Sequence, residues 1–199
     1  MLLGLNTATN RTYNAFIDNN KVVDERSWPA VQNEAETLLP RLQSMLDRNG
    51  MSWETIDEIA VVSGPGPFTA LRVSIAIANA LAYGLQIPLI DVPTIDFWEF
   101  RSKNYALYAG RNMIFYQGKL HKDDAFFSLL KPGMNIAGQL RTKDRDAIVS
   151  SGCRYIEEEA LPGLGAFLVA KRADYKHVSL VKPRYFNKPH ITVSSKAYK

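Results

Sequence analysis

Ser63-Gly64-Pro65-Gly66-Pro67-Phe68-Thr69-Ala70-Leu71-Arg72 joins the apolar run Ile59-Ala60-Val61-Val62 to a long stretch rich in Ala, Ile, Val and Leu. The pattern predicts a strand, a tight loop and a helix. Glycines at such a crossing let the chain turn where a side chain would clash, and let the backbone of Gly64 and Gly66 come close to a ligand or a neighbouring segment. Pro67 suits the first helical position, where its missing N–H costs nothing. The loop is not a P-loop, which needs a Lys-Ser/Thr pair, and it lacks the third glycine of a dinucleotide fingerprint.

The helix predicted over about 67–84 carries one charge, Arg72. At roughly 100° per residue, Arg72, Ala76, Asn79 and Tyr83 share a narrow arc, and the rest is apolar. A surface helix needs an apolar stripe little more than ~100° wide, and this one spans about twice that, so it should be covered on two sides. Ala70, Ser74, Ala78 and Ala82 recur every four residues, where small side chains admit a second helix. Either the chain's own domain buries this helix, or a sheet covers one side and a partner subunit the other.

At 199 residues, 46% hydrophobic and 11% aromatic, the chain can fill one sizeable core or two small lobes. The N-terminal residues Met1–Asn6 lack a basic, apolar leader pattern, and no run is expected to reach the ~18–20 apolar residues that cross a bilayer, so a cytoplasmic location without membrane contact is expected. A single cysteine, Cys153, excludes an internal disulfide and reads as a passive thiol.

Along the chain, Met1–Thr9, Thr12–Ile17 and Lys21–Trp28 read as a β-meander, and Glu34–Arg48 as a helix with Leu38, Leu39, Leu42, Met45 and Leu46 on one face. Pro40 should sit in its first turns or kink it. A strand at Glu58–Val62, the long helix, a strand at Pro88–Val92 and a short helix capped by Thr94 complete the order βββαβαβα. That is the order of one lobe of the actin, Hsp70 and sugar-kinase (ASKHA) architecture, an α/β fold of two lobes. A hairpin is expected around Gly110-Arg111-Asn112 and a helix within 160–171. The Gly-, Pro- and charge-rich stretch from Lys119 to Arg145 suggests a reduced second lobe. The expected division is residues 1–101 as the actin-like lobe, 102–160 as the second, and 161–199 as a closing segment that returns to the first and ends in a basic tail.

Gly64-Pro65-Gly66 followed by Phe68-Thr69-Ala70-Leu71-Arg72 resembles the G-P-G-S-F-T-G-L-R run of the TsaB (YeaZ) family. Leu5-Asn6-Thr7-Ala8-Thr9 is similar to its I-D-T-S-T start, Glu36-Thr37-Leu38-Leu39-Pro40 to its L-L-P helix opening, and Pro183-Arg184-Tyr185-Phe186-Asn187 to its closing P-x-Y-L-R. The resemblance implies a non-catalytic subunit of the bacterial machinery that makes threonylcarbamoyladenosine in tRNA. Its implied partners are a TsaD-like catalytic chain, a TsaE-like ATPase and, through the complex, tRNA. A partner interface is then expected on Leu38, Leu42, Met45, Ala70, Ser74, Ala78 and Ala82. The rivals are a small-molecule kinase or ATPase of the same fold, and a stand-alone homodimer using the same helix face.

Several departures bear on chemistry. Asn6 stands where nucleotide-binding relatives place the acid that orients a hydrated metal ion, and an amide cannot supply that charge. Gln32-Asn33-Glu34-Ala35-Glu36 lacks the histidine pair through which TsaD holds its metal. His121, His177 and His190 have no ligand spacing. No metal, cofactor or catalytic residue is therefore expected. Ser63 and Thr69 have no His and Asp in motif spacing, and Asp91 and Asp96 flank a strand end without a further pattern. Glu157-Glu158-Glu159 reads as a solvated face, since adjacent carboxylates point apart and an acid/base pair must converge. Lys171–Lys199 holds eight Lys/Arg against one acid, a local charge of +7 within a formal +4 for the whole chain. Interleaved with Tyr175, Tyr185, Phe186 and Tyr198, its cations Lys171, Arg172, Lys182, Arg184 and Lys188 are candidate RNA contacts.

Overall fold

The computed structural model describes residues 1–31 and 33–186. An antiparallel meander of β1 (Leu2–Asn6), β2 (Arg11–Asp18) and β3 (Lys21–Pro29) opens the first sheet. Helix α1 (Glu34–Arg48) leads to β4 (Glu58–Gly64), parallel to β1, and α2 (Phe68–Leu85) leads to β5 (Leu89–Pro93), parallel to β4. Every residue of β4 is buried, as expected of a parallel strand covered on both faces, whereas β3 is an exposed edge. Helix α3 (Thr94–Arg101) follows. Pro67 flanks α2 and Phe68 is its first residue, while Pro93 flanks α3 with Thr94 already inside it.

The second sheet repeats this layout. Strands β6 (Tyr105–Gly110), β7 (Met113–Tyr116) and β8 (Lys119–Lys122) form a meander, and α4 (Asp123–Phe127) precedes β9 (Asn135–Gln139), parallel to β6. Helix α5 (Thr142–Ser150), β10 (Arg154–Ile156), parallel to β9, and α6 (Leu164–Lys171) complete the repeat. The orders β3-β2-β1-β4-β5 and β8-β7-β6-β9-β10 correspond strand for strand. The stretch from Lys119 to Arg145, read from the sequence only as rich in Gly, Pro and charge, and the residues up to 160 thus carry a regular pattern in elements of three to nine residues. The last strand, β11 (His177–Val178), pairs antiparallel with β5, and α6 lies on β1, β2 and β3.

Between the sheets, α3 places Phe97 in the core of the first sheet and packs Trp98 with Tyr105, Leu107, Phe115 and Ala137 of the second. Its last residue, Arg101, has a side chain with 0% exposure. The guanidinium pairs with Glu158 at 3.0 Å and donates to the Glu158 carbonyl at 2.7 Å, the Tyr13 hydroxyl at 3.0 Å and the Pro162 carbonyl at 2.8 Å. It also lies 4.7–5.4 Å from the ring centres of Tyr13, Phe97 and Trp98. Burial pushes the Glu158 carboxyl above the usual range, and Arg101 pulls against that shift. Burial likewise raises the Tyr13 hydroxyl.

Helix α2 overturns one expectation. By length and composition alone its 18 residues could cross a bilayer. Here it packs against β4, β1, β5 and α1, and a helix covered on two sides needs an apolar circumference as a membrane span does. Its buried residues are Ala70, Leu71, Ser74, Ile75, Ala78 and Ala82.

These interactions set the stability expected of two variants. Glu158→Ala leaves the Arg101 charge buried without its carboxylate, which costs about 3–5 kcal/mol and lowers Tm by roughly 6–20 °C in thermal melts. Ala78→Arg forces a long cation into a fully buried site, so the isolated chain should lose upwards of ~3 kcal/mol in urea titrations. Wild-type melting of either variant would mean that these interactions do not hold the fold.

Candidate functional site

The loop after β4 is held by two segments of the same chain. Gly64 has φ +107°, and a side chain there would run into the Arg184 carbonyl. The Arg184 N–H donates to the Ser63 carbonyl at 2.7 Å. A Cβ on Gly66 would stand 2.5 Å from the Ala8 carbonyl oxygen. The close approach that the glycines permit is therefore to the β1–β2 turn and to the segment after β11. Asn6 is occupied in that turn, accepting from the Ala8 N–H at 2.8 Å and facing Thr9 Oγ1 at 3.4 Å.

Between the two sheets this loop walls a cavity of about 280 Å³, shared with Leu107, Tyr108, Gln139, Tyr185 and Phe186. Among the described residues, none that lines it carries a carboxylate or a cationic side chain. The Tyr185 hydroxyl accepts from Arg72 Nε at 2.9 Å, and its ring packs on Phe68 with centres 4.8 Å apart. Its described lining of proline, leucine and aromatic side chains suits an apolar or aromatic group.

The residues expected to meet a partner are interior. Leu38, Leu42, Met45, Ala70, Ser74, Ala78 and Ala82 are all buried within this chain, where α1 and α2 pack on one another. The stripe of small residues lets the chain's own elements approach, and Ser74 Oγ is bonded to Thr7 Oγ1 at 2.7 Å. The solvent-facing side of α2 is a different set, with Thr69, Arg72, Ala76, Ala80, Tyr83 and Gly84 exposed and Val73 and Ile77 partly so. Tyr83 is 81% exposed. Asn79, on the flank, exchanges hydrogen bonds with both the N–H and the carbonyl of Val181 at 3.0 Å, so the chain around Val181 runs beside this face.

The basic C-terminal residues are largely paired. Lys171 meets Asp174 at 3.1 Å, and Arg184 meets Asp91 at 2.6 Å. Arg172 forms a two-pronged pair with the buried Glu58, whose carboxylate strengthens the hold of that guanidinium on its proton. His177 joins the same carboxylate. Lys182 is exposed, and Lys188 lies outside the described residues, as do Gln32, Asn187 and His190. Lys171, Arg172 and Arg184 each meet a carboxylate of the same chain while remaining about half exposed.

In the carboxylate run Glu157 and Glu159 are solvent-exposed as expected, and Glu158 alone is buried. Glu157, Glu158 and Glu159 reach Arg145, Arg101 and Arg11 at 3.7, 3.0 and 2.5 Å. Their divergent directions were legible, but their separate arginine partners were not, because those lie 12 to 148 residues away. His121 faces the Tyr116 carbonyl, and Asp96 accepts from the Tyr175 hydroxyl at 2.9 Å. Among the described residues no group of three or more His, Cys, Asp or Glu is arranged to hold a metal ion.

A family model described as TsaD, tRNA N6-adenosine threonylcarbamoyltransferase, matches residues 29–118. The Escherichia coli protein named tRNA threonylcarbamoyladenosine biosynthesis protein TsaB is 33% identical over 94 residues, 47% of this chain and 40% of that protein, so the match spans less than half of either. The Bacillus subtilis protein of the same name is 21% identical over 157 residues, 74% and 69% of the two chains. Among solved structures, a Pseudomonas aeruginosa protein described as similar to peptidase YEAZ superposes with TM-score 0.68 at 20% identity, covering 94% of this chain and 99% of that one. YeaZ from the same organism gives 0.62 at 19% identity, covering 93% and 99%. With its paired, repeated sheets the chain has the fold of the YeaZ structures, and its sequence is similar to proteins named TsaB and to the TsaD family model.

Proposed function

We propose that this chain is a non-catalytic subunit in the biosynthesis of threonylcarbamoyladenosine in tRNA, and that it binds and stabilises a TsaD-like catalytic partner. The observation that carries this reading is the outer face of α2. Val73, Ala76, Ile77, Ala80, Tyr83 and Gly84 form an apolar, small-residue surface with Arg72 on its flank, beside a cavity without charged side chains. Small residues at spacings of three and four allow a partner helix to approach closely, and Tyr83 supplies a large amphipathic anchor. The names of the Escherichia coli and Bacillus subtilis relatives supply the pathway. A TsaE-like ATPase and tRNA join through the assembled complex in this reading.

The test is co-elution of the chain with a TsaD-like protein from the same organism. Ala80→Arg puts a long charged side chain on an exposed position, so the isolated chain should keep its melting temperature while the complex weakens at least ~10-fold in Kd, about 1.4 kcal/mol. No co-elution with the wild-type chain would overturn the partner reading. Self-association abolished by the same substitution would favour the homodimer instead.

The isolated protein should turn over no ATP, because the Asn6 amide is engaged in its own turn and the loop has no Lys-Ser/Thr pair. ATP hydrolysis by the pure chain that disappears on changing Asn6 or Gly66 would favour the kinase or ATPase alternative.

A further inference from the structure

The edge strand β3 and helix α1 enclose a depression of about 260 Å³ lined by Arg26, Ser27, Trp28, Arg41, Ser44 and Arg48, together with Met45. The Arg41 guanidinium lies over the Trp28 ring, 4.2 Å from its centre. Arg26 and Arg48 reach Asp24 at 3.1 and 3.8 Å, and that carboxylate also accepts from Asn49 Nδ2 at 3.0 Å. Asp24 is nearly buried, whereas the two arginines are about half exposed, so it anchors them while their outer N–H groups remain open. Among the described residues Arg41 pairs with no acid, and three guanidiniums therefore face one carboxylate. This group belongs neither to the cavity between the sheets nor to the outer face of α2.

We propose that this pocket binds phosphate groups of an RNA backbone, an inference that rests on the tRNA-directed function proposed above. Guanidinium forks match phosphate oxygens two at a time, and the Ser27 and Ser44 hydroxyls lie within the same lining to add neutral donors. The Trp28–Arg41 stack adds a flat surface on which an unstacked base can rest. An acidic peptide would use the charges but not that surface, so the arrangement favours RNA. Because Asp24 already holds two of the cations, little side-chain ordering is needed on binding. The RNA contact thus lies on α1 and β3, where three guanidiniums share one carboxylate, while Lys171, Arg172 and Arg184 each meet a different carboxylate.

Fluorescence anisotropy of the full chain with a labelled unmodified tRNA transcript and a labelled single-stranded oligouridylate, at several salt concentrations, tests this. Arg41→Gln combined with Arg48→Gln should weaken oligouridylate binding at least tenfold and reduce the salt slope by about 1.4, roughly 0.7 for each single-strand phosphate left without its arginine. Arg41→Gln alone, at an exposed position, should give part of that loss with an unchanged melting temperature. Lys119→Gln with Lys122→Gln removes equal charge from the other sheet and should leave affinity within twofold. An unchanged slope in the arginine variant, or an equal loss in the lysine variant, overturns the proposal. So does displacement of the RNA by polyglutamate or by phosphatidylserine vesicles as readily as by unlabelled RNA. If the arginine variant still co-elutes with the TsaD-like chain but RNA binding is unaffected, this inference alone fails; absence of co-elution by the wild-type chain removes the functional reading itself.

Discussion

The buried guanidinium of Arg101 is the constraint on which the joining of the two sheets depends. A charge withdrawn from water is tolerable only if its donors are met and a counter-charge lies close. Here those partners come from three parts of the chain, namely Tyr13 on β2, Glu158 in the turn after β10, and Pro162 just before α6. Arg101 itself ends α3, whose Phe97 and Trp98 lie in different cores. Satisfying one side chain therefore fixes the first sheet, the helix between the sheets and the start of α6 in a single arrangement.

A second economy lies in the loop at residues 63–67. In a phosphate-binding protein of similar layout, glycines at a strand-to-helix crossing would open the backbone to a ligand. Here the spaces they leave are filled by the Ala8 and Arg184 backbones. Asn6, one strand away, is consumed in the same turn. The resulting architecture retains the duplicated sheets of the fold while the cavity between them is lined by apolar, aromatic and neutral polar groups. Its distinctive outward features are elsewhere, on the apolar side of α2 and in the arginine pocket on α1 and β3.

Where periodicity was strong, local reading and structure agree closely. Glu34–Arg48 is helical over that whole span, and β1 to β5 with their helices follow the expected order. The strands and first helix of residues 119–160 were illegible because strands of three to five residues and a five-residue helix are too short to show a clear period. On α2 the width of the apolar surface correctly indicated cover on two sides, yet the four-residue stripe pointed inward. Periodicity defines faces relative to one another, and it does not say which of two apolar faces meets the chain's own core. A count of cations along the C-terminal sequence likewise omits carboxylates such as Glu58 and Asp91 that folding brings to them.

By itself the sequence determined the alternation of strands and helices in the first half, the loop that needs glycine, and the lack of a Lys-Ser/Thr phosphate grip, because each depends on neighbours within a few residues. Only the tertiary structure decided which surfaces are free. Thr7 fills the inner side of α2 against Ser74, Glu158 neutralises Arg101, and Trp28 meets Arg41 across β3 and α1. These pairs are separated by 13 to 67 residues in the chain, and their energies depend on distance and burial in space, which no local pattern of residue types encodes.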